Sequence, residues 1–427
     1  IDDQLIGLES TFRELLETRT TPRVTNCVRR VLFIVGIDGA PLRYRAQLPA
    51  EALALLGVHA DVRHYRDPDV AARARTADVI VVYRVPATHQ VLGLLEELRS
   101  SGTPVAFDVD DLIFDPDLAD EIPALSILPP SEAALWLEGV CRYRTTMEAC
   151  DAFIGSTDGL VEHARALVDM PARRFDNGVG IALGGLSDIA LRTPRRPGPV
   201  RVGYLSGTTT HDGDWRHVEH EIVNVIEAHA GAELWLAGHL KPTDVINRLG
   251  DRAHRLPFLP WTELPAVLRQ LDVNLAPLAP GSRFNDAKSA IKWLEAALVR
   301  TPTIASPSAP FSEAIEDGRT GWLADSPDEW ASTLDQVLRD EDSRTLVGAR
   351  AQRSALLRWS PHRQGARYLS MLEAIHEEVR SSDRRKPSPT WHPVAKDEPA
   401  LATPVPLESY PPMLASSTRL RRRPRRR

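Results

Sequence analysis

Residues 272–323 read DVNLAPLAPGSRFNDAKSAIKWLEAALVRTPTIASPSAPFSEAIEDGRTGWL. DVNLAPL is a short apolar, partly β-branched run closed by prolines, the form of a strand buried on both faces. A polar loop follows, then apolar residues at helical spacing through Trp293 and Leu298. TPTIAS makes a second strand, PFSEAIEDG a short helix and turn, and TGWLA a third strand. Strand, helix and strand in that order build a parallel sheet with helices on its faces.

Asn285 and Asp286 are helix-capping residue types, so the helix is expected to begin there. Lys288, Lys292 and Glu295 then stand at i, i+4 and i+7. At about 100° per residue they fall within roughly 60° of one another. One face thus carries two ammoniums and a carboxylate beside a helix N-terminus. That suits a nucleotide diphosphate, with amides and lysines for the phosphates and the carboxylate for ribose hydroxyls. A salt-bridged amphipathic surface helix has the same pattern, and the rest of the chain must decide.

Working outward, the same alternation fills most of the 427 residues. VRRVLFIVG (28–36) is a buried strand leading into a loop, GIDGAPLRYR, and a helix from Ala46 to Leu56 follows. HADVRHY, ADVIVVYRV, PVAFDVDD and DAFIGST are further strands with helices between them, and RRFDNGVG (173–180) is a last short strand and turn. TPRRPGP (193–199) reads as a linker. The alternation restarts at VRVGYLSGT and continues through a helix over 215–230, AELWLAG and RLPFL to the opening block. The expected organisation is α/β: an N-terminal extension (1–27) containing an amphipathic helix, a Rossmann-like domain (28–192), the linker, a second Rossmann-like domain (200–360), a helix packing back (361–380), and a disordered tail (381–427). Ligands of such sheets bind beyond the carboxyl ends of the strands, so two domains face each other across a cleft.

A hydrophobic fraction of 43% and a charged fraction of 26% are those of a soluble globular protein. No apolar run reaches the roughly 18 residues of a membrane span. The acidic, amphipathic start IDDQLIGLES is not a secretory leader, and without an initial Met the chain is either processed or part of something longer. Cys27, Cys141 and Cys150 lack metal-ligand spacing, and so sparse and odd a count points to reduced thiols in the cytoplasm. The tail carries 11 Lys/Arg against 4 Asp/Glu, which leaves −13 on the remainder of a chain whose total is −6. The body is therefore not a nucleic-acid surface. The terminal RLRRRPRRR either contacts acidic lipid at the inner membrane face or is a solvated tail.

The order of motifs resembles the retaining GT-B glycosyltransferases of family 4, the glycosyl transferases group 1. The resemblance rests on VLFIVGIDGAPLRYR, DAFIGST, FDNGV and, most specifically, the opening block, in which Glu295, Thr301-Pro302, Ala305-Ser306 and Gly318-x-x-Gly321 fall in register. It departs at two points. The second of the family's two glutamates spaced eight apart is Glu295, but Ala287 stands where the first belongs. The first loop of the second domain, SGTTTHDGDW, lacks the family's phosphate-binding Arg and Lys; Lys288 and Lys292 then supply the displaced cations.

The resemblance implies a nucleotide-diphosphate sugar donor, a glycan or lipid-linked acceptor, no cofactor and no obligatory metal. Donor-binding candidates are Ser206, Gly207, Thr208, His211, Arg283, Asn285, Lys288, Ser289 and Glu295, with Gly207 allowing close backbone approach. Lys288 and Glu295 are also placed in the catalytic group. There they are joined by Asp110 or Asp111 of FDVDDLIFD, which would stabilise positive charge at the anomeric carbon unless they merely cap a helix. In isolation DVD also matches the metal-binding DxD of GT-A enzymes. Gly36, Arg43 and Arg45 form a candidate phosphate or acceptor loop. Trp235, Trp261 and Trp293 are expected in the core, although Phe258–Trp261 lies where the family holds the base. Two further functions stay open beside the transferase: a catalytically silent GT-B module in a glycan-synthesis complex, suggested by the missing glutamate, and a nucleotide-sugar epimerase.

Overall fold

The computed structural model describes residues 27–122, 125, 128–206, 212–238, 240–241, 243–381, 398 and 400–407. Two six-stranded parallel sheets carry the fold. The first comprises β1 (Arg30–Val35), β2 (His59–His64), β3 (Val79–Tyr83), β4 (Val105–Val109), β5 (Ala152–Gly155) and β6 (Ala172–Arg174), in the order β2-β1-β3-β4-β5-β6. The second comprises β7 (Val200–Leu205), β8 (Ala232–Ala237), β9 (Ala253–Leu256), β10 (Val273–Ala276), β11 (Thr303–Ala305) and β12 (Trp322–Leu323), in the order β12-β11-β10-β7-β8-β9. Each sheet reverses its strand order beside its first strand, between β1 and β3 and between β7 and β10. Crevices open at such switch points, and the loops after β1, β3, β7 and β10 hold most of the candidate site residues.

The β-branched runs form these strands because both faces are covered. All five residues of β3 are buried; Ile80 and Val82 join one hydrophobic layer, and Val79, Val81 and Tyr83 the other, as the period of two requires. The helix Ile181–Arg192 packs on the helix Leu264–Gln270 of the second domain. Its first amides, those of Ile181 and Ala182, donate to the carboxylate of Glu51 in the first domain at 2.6 and 3.1 Å. The chain therefore crosses between domains just before this helix, at the FDNGVG turn, and residues 193–199 lead from it to β7. The helix Glu341–Trp359 packs on Ile291–Leu298, and Pro361–Ser381 returns to the helix Leu48–Ala54 of the first domain.

Local structure departs from expectation in four places. The helix expected from Asn285 is two helices, Arg283–Asp286 capped by Ser282 and Ile291–Leu298. The carbonyl of Ala287 in the gap accepts from the Thr157 hydroxyl (2.8 Å), and Ser289 Oγ accepts from Asn177 Nδ2 (2.9 Å). Side chains of the first domain thus take the backbone and hydroxyl groups of the gap. The expected loop carrying Arg43 and Arg45 is helical: Ala40–Leu42 runs through a π-helical turn, Arg43–Gln47, into Leu48–Ala54. The helix expected over 215–230 is broken into Asp212–Arg216 and Glu219–Ala228. Within the tail expected to be disordered, Glu398 and residues 400–407 lie against the first domain, where Leu401 N donates to Arg66 O and Val405 N to Asp67 Oδ1. The N-terminal amphipathic helix and the Arg-rich terminus fall outside the described residues. Among the described residues no helix is long and apolar enough to cross a membrane.

Candidate active site

The second domain builds its side of the site around Asp214. This carboxylate is buried (2% exposed). Its Oδ1 accepts from Ala279 N and Asn285 Nδ2, both at 2.9 Å, and its Oδ2 lies 3.3 Å from Lys288 Nζ. Asn285 also donates to Ala279 O at 3.0 Å, so this candidate donor ligand is a structural brace for the loop after β10. Lys288 is held by Asp214 and lies 5.2 Å from the Phe284 ring. Lys292, the second residue of the next helix, differs. Its Nζ is sealed from solvent, has no hydrogen-bond partner among the described residues, and sits 4.4 Å over the ring of Tyr204. Tyr204 in turn stacks on Trp215 at 5.1 Å. The Lys292 pKa is lowered to about 8, chiefly by burial and also by Lys288, with Asp214 and Glu295 opposing. An ammonium without an acceptor is costly in such a place, and an anion entering here would relieve that cost.

Glu295 lies on the same helix, three residues on. Burial raises its pKa, and the hydrogen bond from Tyr44 opposes the rise. Tyr44 comes from the π-helical turn of the first domain and donates its hydroxyl to Glu295 Oε1. Beside it, the Arg43 guanidinium stacks 4.4 Å from the Trp261 ring centre. The wider π turn buries all five of its residues, Arg43–Gln47, at once. Arg43 and Tyr44 cross to the second domain, while Arg45 turns under its own sheet. There Arg45 grips Asp108 bidentately (2.7 and 2.8 Å) and donates to Phe175 O and Asn177 Oδ1. Burial pushes Asp108 up to about 6 against the pull of Arg45. Arg45 is therefore the strut behind the site, and Arg43 lies at the seam.

The FDVDDLIFD carboxylates are likewise engaged. Asp110 Oδ1 accepts from the Tyr83 hydroxyl (2.8 Å) and from Arg84 Nε (2.9 Å), and Arg84 Nη2 also holds Asp111. Neither carboxylate caps a helix, and with Asp108 on Arg45 and Asp110 on Arg84 the DVD triplet is not a free metal dyad. Arg84 adopts φ +47°, rare for a residue with a side chain. Gly36 explains how that turn fits: a Cβ there would lie 2.0 Å from Arg84 O. Gly36 is thus a packing requirement of the loop after β3.

Ser206 is buried at the end of β7, with its amide bonded to Ala237 O. Gly207, Thr208 and His211 lie outside the described residues. Arg283, expected on phosphate, points to the first domain and pairs with Glu121 while still largely exposed; Ser282 Oγ donates to Glu121 O at 2.9 Å. Ser289 sits between Asn177 and a small cavity lined by Thr157, Asn177 and Trp293. Trp261 and Trp293 are buried, Trp235 is half-buried with its indole donating to Glu233, and Phe258 is exposed. The structure thus gathers Lys288, Lys292 and Glu295, with Asp214, Tyr204 and Tyr44 added. Those three additions were not legible from spacing, because they arrive from distant turns.

Two Rossmann-like domains with parallel sheets, joined by a crossover and a returning helix, define the GT-B class of fold. Residues 207–340 match the family described as Glycosyl transferases group 1. No curated protein matches the chain. Among solved structures, HepE of Anabaena crystallised with UDP is similar with a TM-score of 0.55 at 14% identity, over 81% of this chain and 100% of that one. Sucrose-phosphate synthase of Thermosynechococcus elongatus gives a TM-score of 0.55 at 14% identity, over 82% and 100%. A putative UDP-N-acetylglucosamine 2-epimerase of Listeria monocytogenes gives 0.50 at 15%, over 84% and 100%. The fold and the family match together support a glycosyltransferase of the GT-B type.

Proposed function

We propose that the protein is a retaining glycosyltransferase that takes a sugar from a nucleotide diphosphate to a saccharide or lipid-linked acceptor in surface-glycan synthesis. The observation that carries this reading is the sealed ammonium of Lys292, without a hydrogen-bond partner among the described residues, beside Lys288 and one turn from Glu295, at the switch point of the domain that matches the family. In the proposed reaction the bond between the anomeric carbon and the diphosphate oxygen breaks and a bond to the acceptor oxygen forms on the same face. The acceptor proton passes to the departing phosphate. Lys288 and Lys292 hold the charge that grows on the leaving group, the kind of preorganised stabilisation that lowers such barriers most. Glu295 receives ribose hydroxyls once Tyr44 releases it. No metal or cofactor is assigned a step.

A panel of UDP-, GDP- and dTDP-sugars, followed by calorimetry and by product release, tests the proposal. Glu295→Ala should abolish donor binding, and unchanged turnover in that variant overturns it. One observation favours the silent binding module: Tyr44 already occupies Glu295, and Ala287 stands in place of the first glutamate. Binding without turnover supports that second reading, and sugar turnover without an acceptor supports an epimerase.

A further inference from the structure

Glu398 and residues 400–407 lie on the first domain at the carboxyl ends of its strands. The carboxylate of Glu398 accepts from the Tyr65 hydroxyl and lies 3.5 Å from Arg142 Nη2 and 3.7 Å from Arg66 Nη1. Next to it, Leu401 N donates to Arg66 O (3.0 Å) and Val405 N donates to Asp67 Oδ1 (2.7 Å). Leu407 packs on the hydrophobic layer beneath β1 and β3. Tyr65, Arg66 and Asp67 follow β2. Arg142, from the helix Pro130–Ala149, is fixed by its Nε donating to Ala87 O beyond β3 (3.0 Å). The cluster therefore shares the mouth of the first sheet with Arg84 and Asp111.

The contacts divide by chemistry. Two guanidiniums and a phenol converge on one anion. A backbone carbonyl and a buried carboxylate, that of Asp67 (2% exposed), take N–H donors close by. An anion receptor flanked by two acceptors matches a sugar that carries one acidic group and free hydroxyls. Glu398 fits the receptor loosely: its arginine contacts exceed the 2.7–2.9 Å of a well-seated charge-assisted bond, so a better-shaped anion can replace it.

We propose that Tyr65, Arg66, Asp67 and Arg142 form an acceptor subsite for a saccharide bearing an anionic group, and that Glu398 of the chain's own tail fills this subsite until such an acceptor displaces it. The word acceptor rests on the glycosyltransferase reading; the binding does not. The incoming acidic group replaces the Glu398 carboxylate, and sugar hydroxyls replace the amides of Leu401 and Val405.

The test is calorimetry on the full chain with three probes: a disaccharide ending in glucuronate, its counterpart ending in glucose, and a counterpart ending in glucose 6-phosphate. Glu398→Gln should tighten the charged probes about twofold to fivefold, the worth of removing one partly exposed competing ion pair, and leave the glucose probe unchanged. Adding Arg142→Gln should erase that gain; where that variant unfolds early on a melting curve, Tyr65→Phe supplies the same arm. The larger gain between glucuronate and phosphate names the anion. An equal gain for the glucose probe, or none for either charged probe, overturns the proposal. UDP titrated into the same variants reads the donor site separately, so failure to bind UDP would remove the transferase reading while leaving the anion result standing.

Discussion

Lys292 and Glu295 show how one residue's setting fixes its chemistry. Burial places the Lys292 pKa near 8, so its protonation couples to whatever anion it meets. UDP affinity should be flat below about pH 7 and fall about tenfold per pH unit above 8, with Lys292→Met losing both the affinity and the slope in a calorimetric pH series. Stability runs the other way. The native pKa lies below the ordinary 10.5, so the unfolded chain binds more protons between those values. The penalty of the unpaired ammonium is full below about 8 and is relieved as pH rises toward 10.5. A second prediction concerns Tyr44→Phe, which leaves the buried Glu295 carboxylate without its donor. A loss of about 1–3 kcal/mol is expected in urea unfolding, and UDP should restore more stability to this variant than to the parent, because ribose hydroxyls take the vacated place. An equal UDP effect in both proteins would mean that Glu295 does not meet the ribose. The sequence marked Glu295 through motif register and Lys288 through its spacing to Glu295. It could not mark Asp214, Tyr204 or Arg84, since a carboxylate or an aromatic ring in a turn acquires meaning only from the chain segments packed around it.

Among the elements, strands were the most legible and helix continuity the least. Apolar β-branched runs have few alternatives once both faces are covered, and all of those strands appear. Apolar spacing continued through 287–290, but the break there is caused by Thr157 and Asn177 of the other domain, which no local pattern records. Arg43–Arg45, the start of the π turn, were read as loop, yet Arg43 and Arg45 are buried through stacking and ion pairing. At this scale Gly36→Ala is a sharp test. A methyl 2.0 Å from a backbone carbonyl cannot be absorbed by a rotamer change, and Arg84 is already at a positive φ. A cost of about 3 kcal/mol or more is expected, measured as a lower urea midpoint. A near-neutral variant would mean that the loop after β3 can move freely.

Across the whole molecule, the two domains meet through polar latches on either side of a packed seam. On one side Glu121 pairs with Arg283. On the other, Arg174 holds Asp158 and Asp176 in its own domain and Glu313 in the second at 2.5–2.7 Å. Exposed pairs contribute about 1 kcal/mol or less each and are screened by salt. Glu121→Lys together with high salt should therefore open the cleft without unfolding either sheet. The expected result is a radius of gyration in small-angle scattering that grows with salt in the variant more than in the parent, while the far-ultraviolet circular dichroism stays constant. No change in radius would assign closure to the apolar seam alone. That two domains face each other was readable from the restarted alternation; how tightly they close was not, because the closing charges are scattered over the chain.

The Arg43 guanidinium lying over Trp261 turns that latch into an optical signal. The stacked partner and the seam shield the indole while the domains are together. Separation hands its face to water, and the emission maximum moves to longer wavelength. The molecule thus carries an intrinsic gauge of its own opening at the point where the two domains touch, and ligand binding there can be followed by colour.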